Sequence, residues 1–158
     1  ELSQALKDPG RLVGLHFFNP VPRMKLVEII RSKHTSDAAV EYAKEVAFEL
    51  DKTPVITGDA PGFIVNRLLL IFLNEAMDKY ADGTSTAEDI DKAVTLGLNH
   101  PMGPLALSDL IGLDVCKAIL DVLYEGYKDP KYKPCKTLCE MVEKGNLGRK
   151  TGEGFYKY

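Results

Sequence analysis

The sequence lacks several features that would place it in common functional classes. Its 20 Lys and Arg against 23 Asp and Glu leave a net charge of −3, and it has no basic stripe of the kind that binds nucleic acid. The longest apolar run, Leu68–Leu73, is too short to cross a bilayer, and no signal peptide is visible. The three cysteines show no metal-ligand spacing, so we predict reduced, structural thiols and no metal site.

The sequence also lacks a Gly-x-Gly-x-x-Gly motif between a strand and a helix, which is the fingerprint of dinucleotide binding. Glycines and basic residues are instead concentrated in the tail, residues 145–158. Gly145-x-x-Gly148 and Gly152-x-Gly154 neither follow a strand nor open a helix. The tail is therefore predicted either to meet phosphate through its basic side chains or to close the last helix.

What the sequence does contain is typical of a globular protein: 158 residues, 45% hydrophobic and 27% charged. That length allows one ordinary core, or one domain with part of another. It begins with Glu1 rather than Met, which indicates an expressed fragment, a processed product or the tail of a longer protein.

The apolar periodicity predicts a mainly α fold with a mixed α/β part at residues 1–58 and a helical part at 59–158. In the first part we expect the end of a helix at 2–7, strands at 12–18, 25–30 and 53–57, and a helix over 38–50 capped by Ser36 or Asp37. In the second part we expect helices over 61–80, 87–95, 105–112, 113–127 and 136–144. Pro61 is expected in the first turn of its helix, and that helix is apolar nearly all round, which indicates burial on more than one side.

His16 and Glu28 are polar residues inside runs that otherwise favour buried strands. Asn19-Pro20-Val21-Pro22 interrupts the chain between them, so a strand, a tight connection and a second strand would bring the two together. A buried carboxylate needs a hydrogen-bonding partner, and His16 is a suitable one. The pair would fix the imidazole tautomer and leave the other ring nitrogen free to take a proton from a substrate hydroxyl.

Other interpretations of these residues stay open. A purely structural His–Glu pair is possible, whereas a metal site is disfavoured because His34 and His100 lie in unrelated segments. Asn66, on the apolar helix, needs partners for its amide oxygen and nitrogen. It could bond a neighbouring backbone group, or it could bond a substrate carbonyl beside His16.

Several motifs together resemble the 3-hydroxyacyl-CoA dehydrogenase family, and the resemblance covers essentially the whole chain. The similarity is closest to the single-function branch, which includes 3-hydroxybutyryl-CoA dehydrogenases. The motifs are, in order, His16-Phe17-Phe18-Asn19-Pro20, Met24-Lys25-Leu26-Val27-Glu28, Pro61-Gly62-Phe63-Ile64-Val65-Asn66-Arg67, Asp89-Ile90-Asp91-Lys92-Ala93, His100-Pro101-Met102-Gly103-Pro104 and Gly148-Arg149-Lys150-Thr151-Gly152-Glu153-Gly154-Phe155-Tyr156.

The resemblance implies an enzyme that oxidises 3-hydroxyacyl-CoA to 3-oxoacyl-CoA with NAD or NADP, in fatty-acid or butyrate metabolism. It implies that His16 is the general base and Glu28 its partner, that Asn66 contacts the acyl part of the substrate, and that Asn19 and Lys150 approach the nicotinamide nucleotide. It also implies a homodimer formed through the C-terminal helices. The expected compartment is the cytoplasm of a bacterium or the mitochondrial matrix of a eukaryote.

The sequence departs from this family at its beginning, where members have a doubly wound, Rossmann-like dinucleotide-binding domain. Residues 1–58 resemble the last β/α pieces of that domain with the catalytic strand pair, and residues 59–158 resemble the helical substrate-binding and dimerisation domain. We therefore expect the C-terminal portion of a dehydrogenase that is inactive without an upstream NAD domain. Two alternatives are a non-catalytic helical dimerisation or acyl-CoA-binding module, and a segment of a larger multifunctional oxidation protein.

Overall fold

A computed structural model describes residues 2–158, and the chain divides into two compact units. The first ends at Ile64 and the second spans Val65–Tyr158. Helices predominate, and the strands form one small sheet. Among residues 2–158, no helix has both the length and the apolar character that a membrane span requires.

The first unit is built on a three-stranded sheet in the order β1 (Gly14–Phe17), β2 (Leu26–Arg31) and β3 (Thr53–Gly58). β1 runs antiparallel to β2, and β2 runs parallel to β3. The three predicted strands are thus confirmed, with β1 shorter than expected. β2 is central, and its residues 27–30 are all buried.

Helix α1 (Asp37–Glu49) connects the two parallel strands, as βαβ geometry requires. The Ser36 side chain accepts a hydrogen bond from the Ala39 amide at 3.2 Å, so the predicted N-cap is confirmed at Ser36. Val40 and Ala43 of α1 pack on Ile29 of β2. Because side chains alternate along a strand, the neighbouring Glu28 belongs to the opposite face of the sheet.

The second unit consists of helices around one apolar core. They are α2 (Val65–Ala81), α3 (Ala87–Gly97), α4 (Pro104–Ile111), α5 (Leu113–Tyr127) and α6 (Lys136–Lys144). Its largest fully buried side chains come from α2, α4, α5, α6 and the segment between α5 and α6: Leu70, Leu73, Met77, Leu105, Leu113, Leu120, Leu123, Tyr132 and Leu138. The predicted N-terminal cap of α3 is confirmed: the Thr86 hydroxyl accepts the Asp89 amide at 3.1 Å and donates to the Asp89 carboxylate at 2.9 Å.

The start of α2 corrects the sequence-based prediction. The α-helix begins at Val65 and not at Pro61. Gly62 and Phe63 adopt positive φ angles of 75° and 46°, which a right-handed helix cannot contain. The segment before α2 is therefore a turn that belongs to the first unit.

The C-terminal tail is held by a buried carboxylate and does not hang free. Asp109, which is 1% exposed, accepts the amides of Phe155 and Tyr156, both at 3.0 Å, and the Tyr158 hydroxyl at 3.0 Å. A Cβ atom at Gly154 would overlap the Asp109 carboxylate, so glycine is required there by close approach. Gly145, in a left-handed conformation, caps α6, so the predicted closure of the last helix is confirmed, and contact with phosphate stays a prediction.

Candidate active site

The two strands place His16 and Glu28 directly opposite each other. They are register partners in the antiparallel pair β1–β2, so their side chains project from the same face of the sheet. His16 Nδ1 lies 2.7 Å from Glu28 Oε2. The predicted pairing is thus present as a direct hydrogen bond.

The surroundings of the pair give its two members different access to solvent. The Glu28 side chain is 1% exposed, whereas the His16 side chain is 27% exposed. An ionised carboxylate can only accept hydrogen bonds, so Nδ1–H of the neutral imidazole donates to Oε2. This tautomer leaves Nε2 with its lone pair, and Nε2 can accept a proton from a bound molecule.

A backbone group binds the other oxygen of the carboxylate. The Ile64 amide donates to Glu28 Oε1 at 3.0 Å. A buried carboxylate with donors on both oxygens avoids the large desolvation cost of an unpaired charge. The Ile64 amide therefore helps to fix the orientation of Glu28 toward His16.

Two aromatic rings flank the imidazole. The centroid of Phe18 lies 4.6 Å from that of His16, and the centroid of Phe63 lies 5.4 Å from it, both with tilted rings. An open cavity of about 340 Å³ lies beside them. Its lining is mainly apolar and includes His16, Ile30, Asp59 and Phe63, so it combines an apolar wall with a proton acceptor, as small-molecule sites commonly do.

The remaining predicted site residues occupy different places. Asn19 is exposed in the bend that follows β1, in the first unit. Asn66 is half-buried in the first turn of α2, in the second unit. Lys150, also in the second unit, forms an ion pair with Asp114 at the start of α5. The structure therefore brings together His16 and Glu28, while the roles of Asn19, Asn66 and Lys150 stay predictions.

Three groups that contact predicted site residues could not be predicted from the sequence. They are the Ile64 amide, which bonds Glu28, the Phe63 ring, which contacts His16, and the Asp114 carboxylate, which pairs with Lys150. A backbone donor leaves no signal in side-chain patterns, and Phe63 was assigned to the interior of a helix. The Lys150 ammonium holds the pKa of the Asp114 carboxyl below its usual value, mainly through their hydrogen bond. Only the distance of 36 positions between these two residues hid their pairing from sequence inspection.

The strand-to-helix turn of the first unit differs from the cradles that bind a nucleotide pyrophosphate. The turn from β2 into α1, Ser32-Lys33-His34-Thr35-Ser36, contains no glycine, and such cradles use glycine-rich turns at helix N-termini.

Within residues 2–158 no three His, Cys, Asp or Glu side chains are grouped to hold a metal ion. The cysteines are free thiols, and burial raises the pKa of Cys116 to about 12 and that of Cys135 to about 11, so both are unreactive.

Two family models match consecutive parts of the chain. Residues 62–158 match the family model "3-hydroxyacyl-CoA dehydrogenase, C-terminal domain", and residues 1–60 match "3-hydroxyacyl-CoA dehydrogenase, NAD binding domain". The chain belongs to the 3-hydroxyacyl-CoA dehydrogenase family.

Individual relatives show how similar the chain is to particular members of this family. The chain is 51% identical over 157 residues to a probable 3-hydroxybutyryl-CoA dehydrogenase of Deinococcus radiodurans, covering 99% of this chain and 56% of that protein. It is 46% identical to a mitochondrial hydroxyacyl-coenzyme A dehydrogenase of Sus scrofa, covering 99% of this chain and 50% of that one. The crystal structure of (S)-3-hydroxybutyryl-CoA dehydrogenase from Ralstonia eutropha matches with a TM-score of 0.96 and 46% identity, over 99% of this chain and 56% of that chain. The chain thus spans about half the length of these relatives.

Proposed function

We propose that this chain supplies the general base and the helical unit of a dehydrogenase that oxidises 3-hydroxyacyl-CoA to 3-oxoacyl-CoA. The observation that carries the proposal is the 2.7 Å contact between His16 Nδ1 and Glu28 Oε2. It sits beside an open, mainly apolar cavity, and it occurs in a chain whose relatives are named for this chemistry.

Oxidation of a secondary alcohol removes a proton from oxygen and a hydride from carbon. His16 Nε2 is the proton acceptor in this proposal. The positive charge that then develops on the imidazole is stabilised by the Glu28 carboxylate, which also keeps the ring in the correct tautomer. Asn66 is proposed to contact the acyl group, although it lies in the second unit and its role rests on the family motif.

NAD or NADP is the proposed hydride acceptor, as the match of residues 1–60 to an NAD binding domain implies. The turn from β2 into α1 lacks the glycines of a pyrophosphate cradle, so this chain alone should bind NADH weakly. Asn19 and Lys150 are proposed to contact the nucleotide. Titration calorimetry checks the expectation, and tight NADH binding to the 158-residue chain would contradict it.

A homodimer through the helical unit is the proposed assembly. Its support is a set of large apolar side chains that this unit leaves exposed, including Leu68 at 66% and Val122 at 59%. Analytical ultracentrifugation should show a dimer that Leu68→Glu weakens. A monomer at micromolar concentration would count against this part of the proposal.

The activity is testable in a chimera. The chain is joined to the part of the Deinococcus radiodurans relative that it does not match, so that a dinucleotide-binding domain precedes Glu1. We expect this chimera to form NADH from 3-hydroxybutyryl-CoA. His16→Gln should lower kcat about 10²–10⁴-fold, because the general base is lost, with little change in KM for the acyl-CoA.

The matched control is His34→Gln, which replaces an exposed histidine of the same unit and should leave kcat unchanged. Equal kcat values for His16→Gln and the parent chimera would remove His16 from the mechanism. A folded but inactive chimera that still binds acyl-CoA would favour a non-catalytic binding module.

A further inference from the structure

The turn that precedes α2 has an unusual backbone. Gly62 and the next residue, Phe63, both have positive φ, at 75° and 46°. Glycine adopts this conformation freely, but for a bulky residue such as phenylalanine it is an outlier. Outliers of this kind persist where the surrounding structure enforces them, and they cluster at functional sites.

This turn determines where the Phe63 and Ile64 amides and the Phe63 ring point. The Phe63 amide donates to the Ala60 carbonyl at 3.0 Å, which closes the turn. The next amide, that of Ile64, then points at Glu28 Oε1 at 3.0 Å. The Phe63 ring lies 5.4 Å from the imidazole of His16.

A right-handed continuation through Phe63 would turn both groups away from these partners. Helical φ and ψ at Phe63 would direct the Ile64 N–H along the axis of α2, toward a carbonyl four residues earlier. The ring would leave the imidazole at the same time, because Cβ follows the backbone. The left-handed conformation thus allows the Ile64 amide to bond the Glu28 carboxylate while the Phe63 ring contacts the His16 imidazole.

We propose that the Gly62–Phe63 turn is a positioning element for the His16–Glu28 pair, an inference that rests on the proposed function. The Ile64 amide occupies Oε1 and so directs Oε2 to His16 Nδ1. The ring of Phe63 contacts the imidazole, as that of Phe18 does, and so limits its rotation. Together they hold the proton on Nδ1 and keep Nε2 as the proton acceptor. Phe63 touches the base and acts on the reaction through it.

The distribution of the proton between the two ring nitrogens is the direct readout. Nitrogen-15 chemical shifts of His16 are measured in the 158-residue chain, above the pH range in which histidine side chains ordinarily protonate. The parent chain should show one tautomer, with the proton on Nδ1. Phe63→Asn retains a side chain that tolerates the left-handed conformation but removes the ring, and we expect its two ring shifts to move toward each other as both tautomers become populated.

Two further variants separate positioning from general damage to the fold. Phe63→Tyr restores a ring and should restore the parent spectrum. Phe48→Asn makes the same change at an exposed phenylalanine of α1, 64% accessible, and should leave the His16 shifts unchanged. A parent-like His16 spectrum in Phe63→Asn would overturn the proposal, and so would a Phe48→Asn spectrum that changes equally.

Turnover of the chimera provides the second readout. Phe63→Asn should lower kcat by about 10- to 100-fold, since small misplacements of a catalytic group cost factors of this size, while KM for the acyl-CoA changes far less. If the parent chimera is inactive but Phe63→Asn still mixes the tautomers, the proposed function fails and the positioning role stands. If the parent chimera is active and Phe63→Asn matches it in spectrum and kcat, the positioning role fails alone.

Discussion

Both units bury a carboxylate, but they use it differently. In the second unit each oxygen of Asp109 accepts a backbone amide, and Oδ2 also accepts the Tyr158 hydroxyl. In the first unit Glu28 accepts one backbone amide, and its other oxygen is bonded to an imidazole beside an open cavity. Both side chains are 1% exposed, so burial alone does not separate a carboxylate bonded only to fixed donors from one paired with an imidazole.

The difference lies in what the partners can do next. Amide and tyrosine hydroxyl donors keep their protons at neutral pH, and burial, together with the hydrogen bond to Asp109, raises the pKa of the Tyr158 hydroxyl further above its usual value. An imidazole can gain a proton within the physiological range. A buried carboxylate thus indicates chemistry when one of its partners titrates and remains accessible, and it indicates folding when its partners are fixed donors.

Replacing each carboxylate by the isosteric amide should affect a different property, stability at Asp109 and turnover at Glu28. The largest effect is expected at Asp109. In Asp109→Asn the amide nitrogen must face an N–H or O–H donor, so a buried donor is left unpaired. We expect the second unit to lose about 3 kcal/mol of unfolding free energy, since each such group costs about 1–3 kcal/mol. Urea denaturation followed by near-UV circular dichroism measures it, because most of the tyrosines lie in this unit. A change below about 1 kcal/mol would show that the tail is not held by this carboxylate.

Glu28→Gln should affect turnover more than stability. The glutamine carbonyl can still accept the Ile64 amide, and its NH₂ would donate to Nδ1. The imidazole proton would then reside on Nε2, which could no longer accept one. We expect kcat of the chimera to fall about 10²-fold, with a small change in unfolding free energy because the glutamine side chain keeps both hydrogen bonds and leaves no buried group unpaired. A large loss of stability with unchanged kcat would make Glu28 a structural residue like Asp109.

The smallest effect is expected at the exposed ion pair of Asp114 and Lys150. Its contribution to stability should be below about 1 kcal/mol, because both side chains remain in contact with solvent. The pKa of Asp114 is lowered from 3.8, so the stabilisation is present above that value and is lost as the pH falls through the lowered pKa. Comparison of Asp114→Asn with the parent chain by thermal melts across this pH range should show a small difference at neutral pH and none in strong acid. A difference that grows in acid would contradict the pairing.

Local patterns were sufficient for much of the first unit. Strands could be predicted because two apolar runs flank a proline-containing connection, and an antiparallel pair then places His16 near Glu28. The caps at Ser36 and Thr86 were also predictable, since they depend on residues three positions apart. These features rest on contacts that are short in sequence or imposed by strand pairing.

Tertiary contacts decided the features that the sequence could not reveal. A proline followed by apolar residues fits the first turn of a helix, yet the segment Pro61–Ile64 turns toward Glu28, which is 36 positions away from Ile64. The tail has the composition of a flexible turn, but Asp109 binds it across 46 and 47 positions. In both cases a backbone amide donates a hydrogen bond to a carboxylate far away in the sequence. The pattern of side chains cannot predict such a donor, because every residue except proline has one.

The buried thiol of Cys116 can report on opening of the second unit. Cys116 has no exposed surface, and burial raises its pKa to about 12, so a thiol reagent can modify it only after the helices separate. Cys139 is partly accessible and should react without that delay. The ratio of the two labelling rates therefore reports how often the helical unit opens under native conditions, without any mutation.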